Sequence, residues 1–198
     1  MKNKIKKEPV KDILNFISEA GMLKQVKRSG WSVLGIKNAE TVAEHSFRCV
    51  VIGYTLACME KVLPYKVLLM TLFNDLHEAR ITDLHKMAQR YIDAEAVEKK
   101  AFYEQVNSLP NGINRELIDL NKEYRKQKTK QSIIARDADI LECLIQAKEY
   151  CGQGFLQAAK FMKKAPRFLK TKSAQKLWHL AKETDLNQWW FNLSEFKR

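Results

Sequence analysis

Three residues of metal-ligand type fall on faces that helical periodicity marks as apolar. Asp75 interrupts the stripe Leu68, Leu72, Leu76, Ala79, His45 interrupts Val42, Cys49, Ile52, Leu56, and Asp139 interrupts Ala135, Ala138, Leu141, Ile145. A buried anion needs a cation, and an imidazole with two carboxylates drawn from three helices points to one shared metal ion. Each taken singly has an ordinary alternative. A buried His is usually a hydrogen-bonded core residue, a buried Asp caps a helix or pairs with Arg, and Arg48, Arg80 and Arg136 are available as partners.

The helices that must position these groups are marked by their ends. A first helix is predicted over Val10 to Leu23, ending near Gly21. Lys24 to Lys37 holds two glycines and no sustained period, which predicts a connector carrying exposed Arg28 and Trp31. Thr41 and Glu44 fit a capping box, with Asn38 an equally good cap, for a helix running to about Lys61. Pro64 opens a third helix that ends around Arg80, and Thr82-Asp83 is suited to cap a short helix over Leu84 to Tyr91. Further helices are predicted over 94–108, 114–126 and 130–151, with Pro110-Asn-Gly112 as a turn. The remainder holds 155–163, 173–184 and the aromatic group Trp189-Trp190-Phe191.

Composition agrees with an all-α domain. The 198 residues are 45% hydrophobic, and seven Gly and four Pro leave few turns. The four cysteines form no CxxC pair, which excludes a thiolate cluster by motif and fits small core residues in a reducing compartment, so a cytoplasmic location is expected. The longest nearly apolar stretch, Cys49 to Met59, is far short of the roughly 20 residues that cross a bilayer. Met1 to Lys7 carries charge without a following apolar signal region. A formal charge of +12 suits phosphorylated substrates, nucleic acid or an anionic surface. The basic residues are scattered and accompanied by no nucleic-acid-binding motif, so neither nucleic acid nor a membrane is an expected partner.

The longer pattern resembles the HD-domain phosphohydrolase superfamily, in its 5′-deoxyribonucleotidase-like branch. The resemblance is carried by Ser29-Gly-Trp31, Glu40-Thr-Val-Ala-Glu-His-Ser-Phe-Arg48, Leu72-Phe-Asn-Asp-Leu-His-Glu-Ala-Arg80, Asp83-Leu84, Glu123-Tyr124 and Asp137-Ala-Asp-Ile-Leu-Glu142 with Gln146 to Tyr150. It covers about residues 11–151, leaving 152–198 as a C-terminal helical extension of one domain. It implies a single-domain all-helical fold, commonly homodimeric, that removes the 5′-phosphate from nucleoside or deoxynucleoside monophosphates with one divalent ion, such as Mn²⁺, Co²⁺, Mg²⁺ or Zn²⁺.

Carried over by position, the resemblance makes His45, Asn74, Asp75 and Asp139 the metal ligands, Glu78 the catalytic acid or base, and Asp83 a sugar contact. Arg28 can hold phosphate through two N–H groups and Trp31 can pack on sugar or base. A surface charge, a core anchor and a helix cap are the structural alternatives for Arg28, Trp31 and Asp83. Arg48 is expected to reach phosphate or Glu44, and His77 to stand outside the ligand set. The departure is Asn74, where the pattern has His. An amide oxygen is a weaker donor than imidazole, so an impaired enzyme is one expectation and a non-catalytic ligand-binding or interaction module is the other. Apolar residues in excess of one stripe, among them Phe102, Tyr103, Phe161, Trp189 and Trp190, are the local support for a dimer.

Overall fold

A computed structural model describes residues 9–191 and Leu193; Met1 to Lys7, where the absence of a signal region was read, lies outside the described residues. Eleven α-helices succeed one another among them, joined by 3₁₀ turns, and the only strand-like pairing is an isolated bridge between Lys27 and Thr41. The fold is all-α, as predicted.

Helix α1 (Pro9–Ala20) leads through a 3₁₀ turn to α2 (Ser29–Ser32), a single turn inside the predicted connector. Helix α3 (Val42–Met59) starts at the Thr41 capping box, in which Thr41 and Glu44 satisfy each other's backbone N–H groups. Helix α4 (Tyr65–Phe73) stops seven residues before the predicted end. Asn74 to His77 form a turn, and α5 (Glu78–Ile81) follows as a separate piece. The buried face of α4 is Val67, Met70 and Thr71, whereas Leu72 is 45% exposed, so the stripe proposed around Asp75 was one position out of phase. No α-helix covers 84–91, which holds only a 3₁₀ turn at Ala88–Arg90.

Helix α6 (Ala94–Val106) packs against α5 and α7 (Asn111–Lys126), α7 packs beside α4, and α8 (Lys130–Gly152) runs through the centre against α3, α4 and α7. Small residues allow that packing: Ala57, Ala135 and Ala138 are fully buried, and a Cβ on Gly53 would lie 3.1 Å from both Thr71 and Val67 of α4. Close approach of α3, α4 and α8 brings the predicted ligands together.

The chain ends with α9 (Ala159–Lys164), α10 (Lys172–Glu183) and α11 (Gln188–Phe191). Buried Asp137 accepts hydrogen bonds from the backbone N–H groups of Lys170 and Thr171 and from the Thr171 hydroxyl. Lys148 donates to the carbonyl of Lys182, near the C-terminus of α10. Phe102 is buried in the core and Phe161 packs on Trp31, so both serve the monomer and not the dimer surface suggested for them. Trp189 and Trp190 remain exposed. No helix among the described residues is long and apolar enough to cross a membrane.

Candidate metal centre

His45 projects from the second turn of α3, where Val42 and Cys49 share its buried face. Its Nδ1 is hydrogen-bonded to Glu142, a fully buried carboxylate from α8 whose other oxygen accepts from Arg48 Nε at 2.9 Å. Arg48 is in turn held by Glu149 at 2.7 Å and by Gln146. It therefore reaches neither Glu44 nor an open phosphate position; its guanidinium is committed behind His45.

The opposite ring nitrogen faces the acids. His45 Nε2 lies 3.2 Å from Asp139 Oδ1 and 3.6 Å from Asp75 Oδ2. Ligand atoms bonded at about 2.0–2.2 Å to one ion stand about 3.0–3.6 Å apart, so both separations suit a shared cation. Without a proton or a cation among them, a nitrogen lone pair and two carboxylates repel one another. Burial works against the Asp139 charge, but the His45 contact and Arg136, 3.1 Å away, outweigh it and hold the carboxyl well below its usual range. Arg80, offered as another partner, instead pairs with Glu19 and Glu104 at the surface.

Asn74 stands beside the cluster but turns its amide N–H onto Asp75 Oδ1 at 2.7 Å. In that orientation it supports a carboxylate and does not offer its oxygen as a ligand. His77, from the same turn, is buried with Nε2 4.0 Å from Glu98 of α6 and Nδ1 unpartnered. His85 accepts from the Ala88 backbone N–H, and His179 is exposed.

Arg28 is the cation that meets Asp75, Glu78 and Asp83. Its Nη1 is 3.7 Å from Asp75, 3.8 Å from Glu78 and 3.8 Å from Asp83. Glu78, at the start of α5, is nearly buried, and its Oε2 has no partner. Burial and the adjacent Asp75 charge push its carboxyl well above the usual range, against the pull of Arg28. Asp83 caps a helix, although not the predicted one: its Oδ2 accepts the Ser29 backbone N–H at 2.8 Å, fixing the start of α2 beside Arg28.

Trp31 departs from its predicted exposure. It is 3% exposed, its rings pack on Tyr150 and Phe161, and its Nε1–H donates to Glu40 at 2.9 Å. The residue anchors the connector, and only Arg28 of the pair faces the cluster. Sequence reasoning also passed over Cys49 and Glu142 as site residues. Cys49 Sγ lies 3.3 Å from His45 Nε2, and burial pushes its thiol up to about 12. Glu142 carried a signal, since it repeats the same anomaly one turn beyond Ala138 on the buried face of α8.

The HD domain family profile matches residues 20–178, which takes in His45, Asp75, Glu78, Asp83 and Asp139. The chain belongs to the HD domain family. It is 31% identical to the 5′-deoxynucleotidase HDDC2 of Dictyostelium discoideum over 146 residues, covering 69% of this chain and 76% of that protein. It is 30% identical to the 5′-deoxynucleotidase HDDC2 of Danio rerio over 141 residues, 70% of each chain. A conserved hypothetical protein from Pyrococcus furiosus has the same fold with a TM-score of 0.73 and 32% identity, over 86% of this chain and 97% of that one. This HD domain thus places Asp75, Glu78, Asp83 and Arg28 in one cluster beside His45 and Asp139.

Proposed function

We propose that the protein is a metal-dependent phosphohydrolase that removes the 5′-phosphate from nucleoside or deoxynucleoside monophosphates. The observation that carries this reading is the position of Asp75 and Asp139 at one nitrogen of His45, with Arg28 joining Asp75 to Glu78 and Asp83. The HDDC2 relatives supply the substrate class.

His45, Asp75 and Asp139 hold the divalent ion in this reading, with Asn74 able to add its amide oxygen only if it releases Asp75. What a divalent ion contributes at such a site is acidification of a water and neutralisation of phosphate charge. Arg28 holds the phosphate by exchanging carboxylate contacts for phosphate oxygens, which its planar fork fits. Glu78, with Oε2 free and its carboxyl biased toward the protonated form, positions the attacking water or gives a proton to the departing sugar oxygen. Asp83 sets the Arg28 segment and offers an acceptor to a sugar hydroxyl. Trp31 contributes by holding the connector. The working assembly is a homodimer, supported by Phe47, Val51 and Tyr54, which share one face of α3 and are each at least half exposed.

One observation favours a second reading, a ligand-binding module without turnover: the Asn74 amide satisfies Asp75 directly. Metal analysis of the purified protein, joined to phosphate release from a panel of ribo- and deoxyribonucleoside monophosphates, separates the two. Release from a 5′-monophosphate that requires added metal is expected. Full metal loading without release from any nucleotide supports the module.

A further inference from the structure

We propose that Arg136 is a second phosphate-binding residue of the site, holding the substrate from the Asp139 side of the cluster as Arg28 does from the Asp75 side, with Tyr124 as its positioning residue. The inference rests on the phosphohydrolase reading above. Arg136 and Asp139 stand three residues apart on α8 and are neighbours on its surface. Arg136 Nη1 lies 3.1 Å from Asp139 Oδ2 and donates to the Tyr124 hydroxyl at 3.2 Å. The other oxygen of Asp139 is the one that faces His45 Nε2 at 3.2 Å, so a single carboxylate separates this guanidinium from the proposed ion.

The way the guanidinium is held decides what it has left to offer. Both contacts use Nη1, and among the described residues no hydrogen bond or ion pair engages Nε or Nη2. Those two nitrogens share one edge of the planar group, the edge that takes a phosphate through two parallel N–H bonds. Arg48 shows the contrast, with Nε, Nη1 and Nη2 taken by Glu142, Glu149 and Gln146. The Arg136 side chain is 49% exposed against 18% for Arg28, so an anion arriving from solvent can reach it. Tyr124 is buried in the core, which fixes its hydroxyl and with it one corner of the fork. A counter-ion for Asp139 is the ordinary alternative for Arg136, and that role occupies Nη1 alone. A phosphate dianion entering beside Asp75, Asp83 and Asp139 adds negative charge to a site with more acids than arginines, and the free edge of Arg136 is a cation that it meets there.

The test titrates inorganic phosphate into the metal-loaded full-length protein by calorimetry, beside a titration of the metal alone and phosphate release from a panel of nucleoside monophosphates. R136Q is expected to bind phosphate about 10- to 100-fold more weakly, the loss that goes with hydrogen bonds to a charged partner. Its metal affinity stays level or rises, because Asp139 loses a competing cation. R136K keeps a cation beside Asp139 without the fork and binds phosphate several-fold more weakly, and Y124F does so by about threefold. On nucleotides R136Q raises KM more than it lowers kcat. Phosphate binding by R136Q within about twofold of the wild type, at full metal loading, overturns the proposal and leaves Arg136 as a counter-ion. A fall in metal affinity that matches the fall in phosphate affinity overturns it too, since the loss then runs through Asp139. If R136Q fails to fold, R136K decides, and wild-type phosphate binding by it overturns the proposal. Loss of phosphate binding in R136Q, with no release from any nucleotide by the wild type, supports the role of Arg136 while overturning the phosphohydrolase reading.

Discussion

Glu142 takes the Nδ1 side of His45, and by doing so it leaves Nε2 as the ring nitrogen that faces Asp75 and Asp139. An imidazole that donates one N–H to a carboxylate has its tautomer fixed and its other nitrogen made more basic. In the proposed metal site Glu142 is therefore the positioning residue for His45. Arg48, Glu149 and Gln146 hold it in place from behind.

Glu142→Gln keeps the shape and removes the charge, so metal affinity falls by about 10- to 100-fold with little change in the fold. Glu142→Ala leaves buried His45 without its Nδ1 partner, while Arg48 keeps Glu149 and Gln146, and costs about 1–3 kcal/mol of stability. Isothermal titration with Zn²⁺ and a thermal melt of each variant check the two numbers. Equal metal affinity in wild type and Glu142→Gln would remove Glu142 from the site.

In the proposed site, Asn74→His supplies an imidazole donor in place of an amide. It raises affinity for Mn²⁺, Co²⁺ or Zn²⁺ by about 100-fold and raises phosphate release along with it. In that background Glu78→Gln lowers turnover by about 10²–10⁴-fold while metal affinity stays within a few-fold, because Glu78 acts on water or the leaving oxygen and not on the ion. Metal titrations and steady-state phosphate release, run on both variants, are the measurement. Turnover by the wild type as fast as by the His variant contradicts the claim that Asn74 impairs the site.

Glu40 makes stability depend on pH. Burial, followed by the nearby Glu142 charge, pushes its carboxyl from the usual 4.5 up to about 7. Between those values the folded chain holds a proton that the unfolded chain has released, so stability falls as pH rises through this window and stays lowered above it. The loss is at most about 3 kcal/mol. Glu40→Gln keeps an acceptor for Trp31 and has no charge to lose. Melts in chelator should show its advantage over wild type growing from about pH 5 to about pH 8, and an advantage independent of pH contradicts the assignment.

Phe47→Glu on the exposed face of α3 should convert a dimer to monomer, because a charge placed in an apolar interface is left without a partner. Sedimentation at micromolar concentration measures it. A wild-type species of 23.1 kDa under those conditions contradicts a stable dimer.

Much of the site was legible because a charged residue on a buried helical face is a strong anomaly. His45 and Asp139 lie on long helices, α3 and α8, where the 3.6-residue period persists for several turns and identifies the inner face. Asp75 was found with the wrong companions, since α4 ends at Phe73 and the turn from Asn74 to His77 breaks the phase. The burial of Trp31 and the identity of the helix that Asp83 caps were not legible for a related reason. Each is placed by a contact distant in sequence, with Phe161 and Tyr150 or with Ser29, and local pattern carries no information about such partners.

Asp137 gives the distal part of the chain a stake in the chemistry. Its buried carboxylate is satisfied by Lys170 and Thr171, and it sits two residues from Asp139 on the same helix. A chain stopped after Gln153 loses those donors and leaves an unpaired anion inside the protein, at a cost of several kcal/mol, within one helical turn of a proposed ligand. Premature termination between the two segments is thus expected to disturb the proposed metal site without removing any of its proposed ligands.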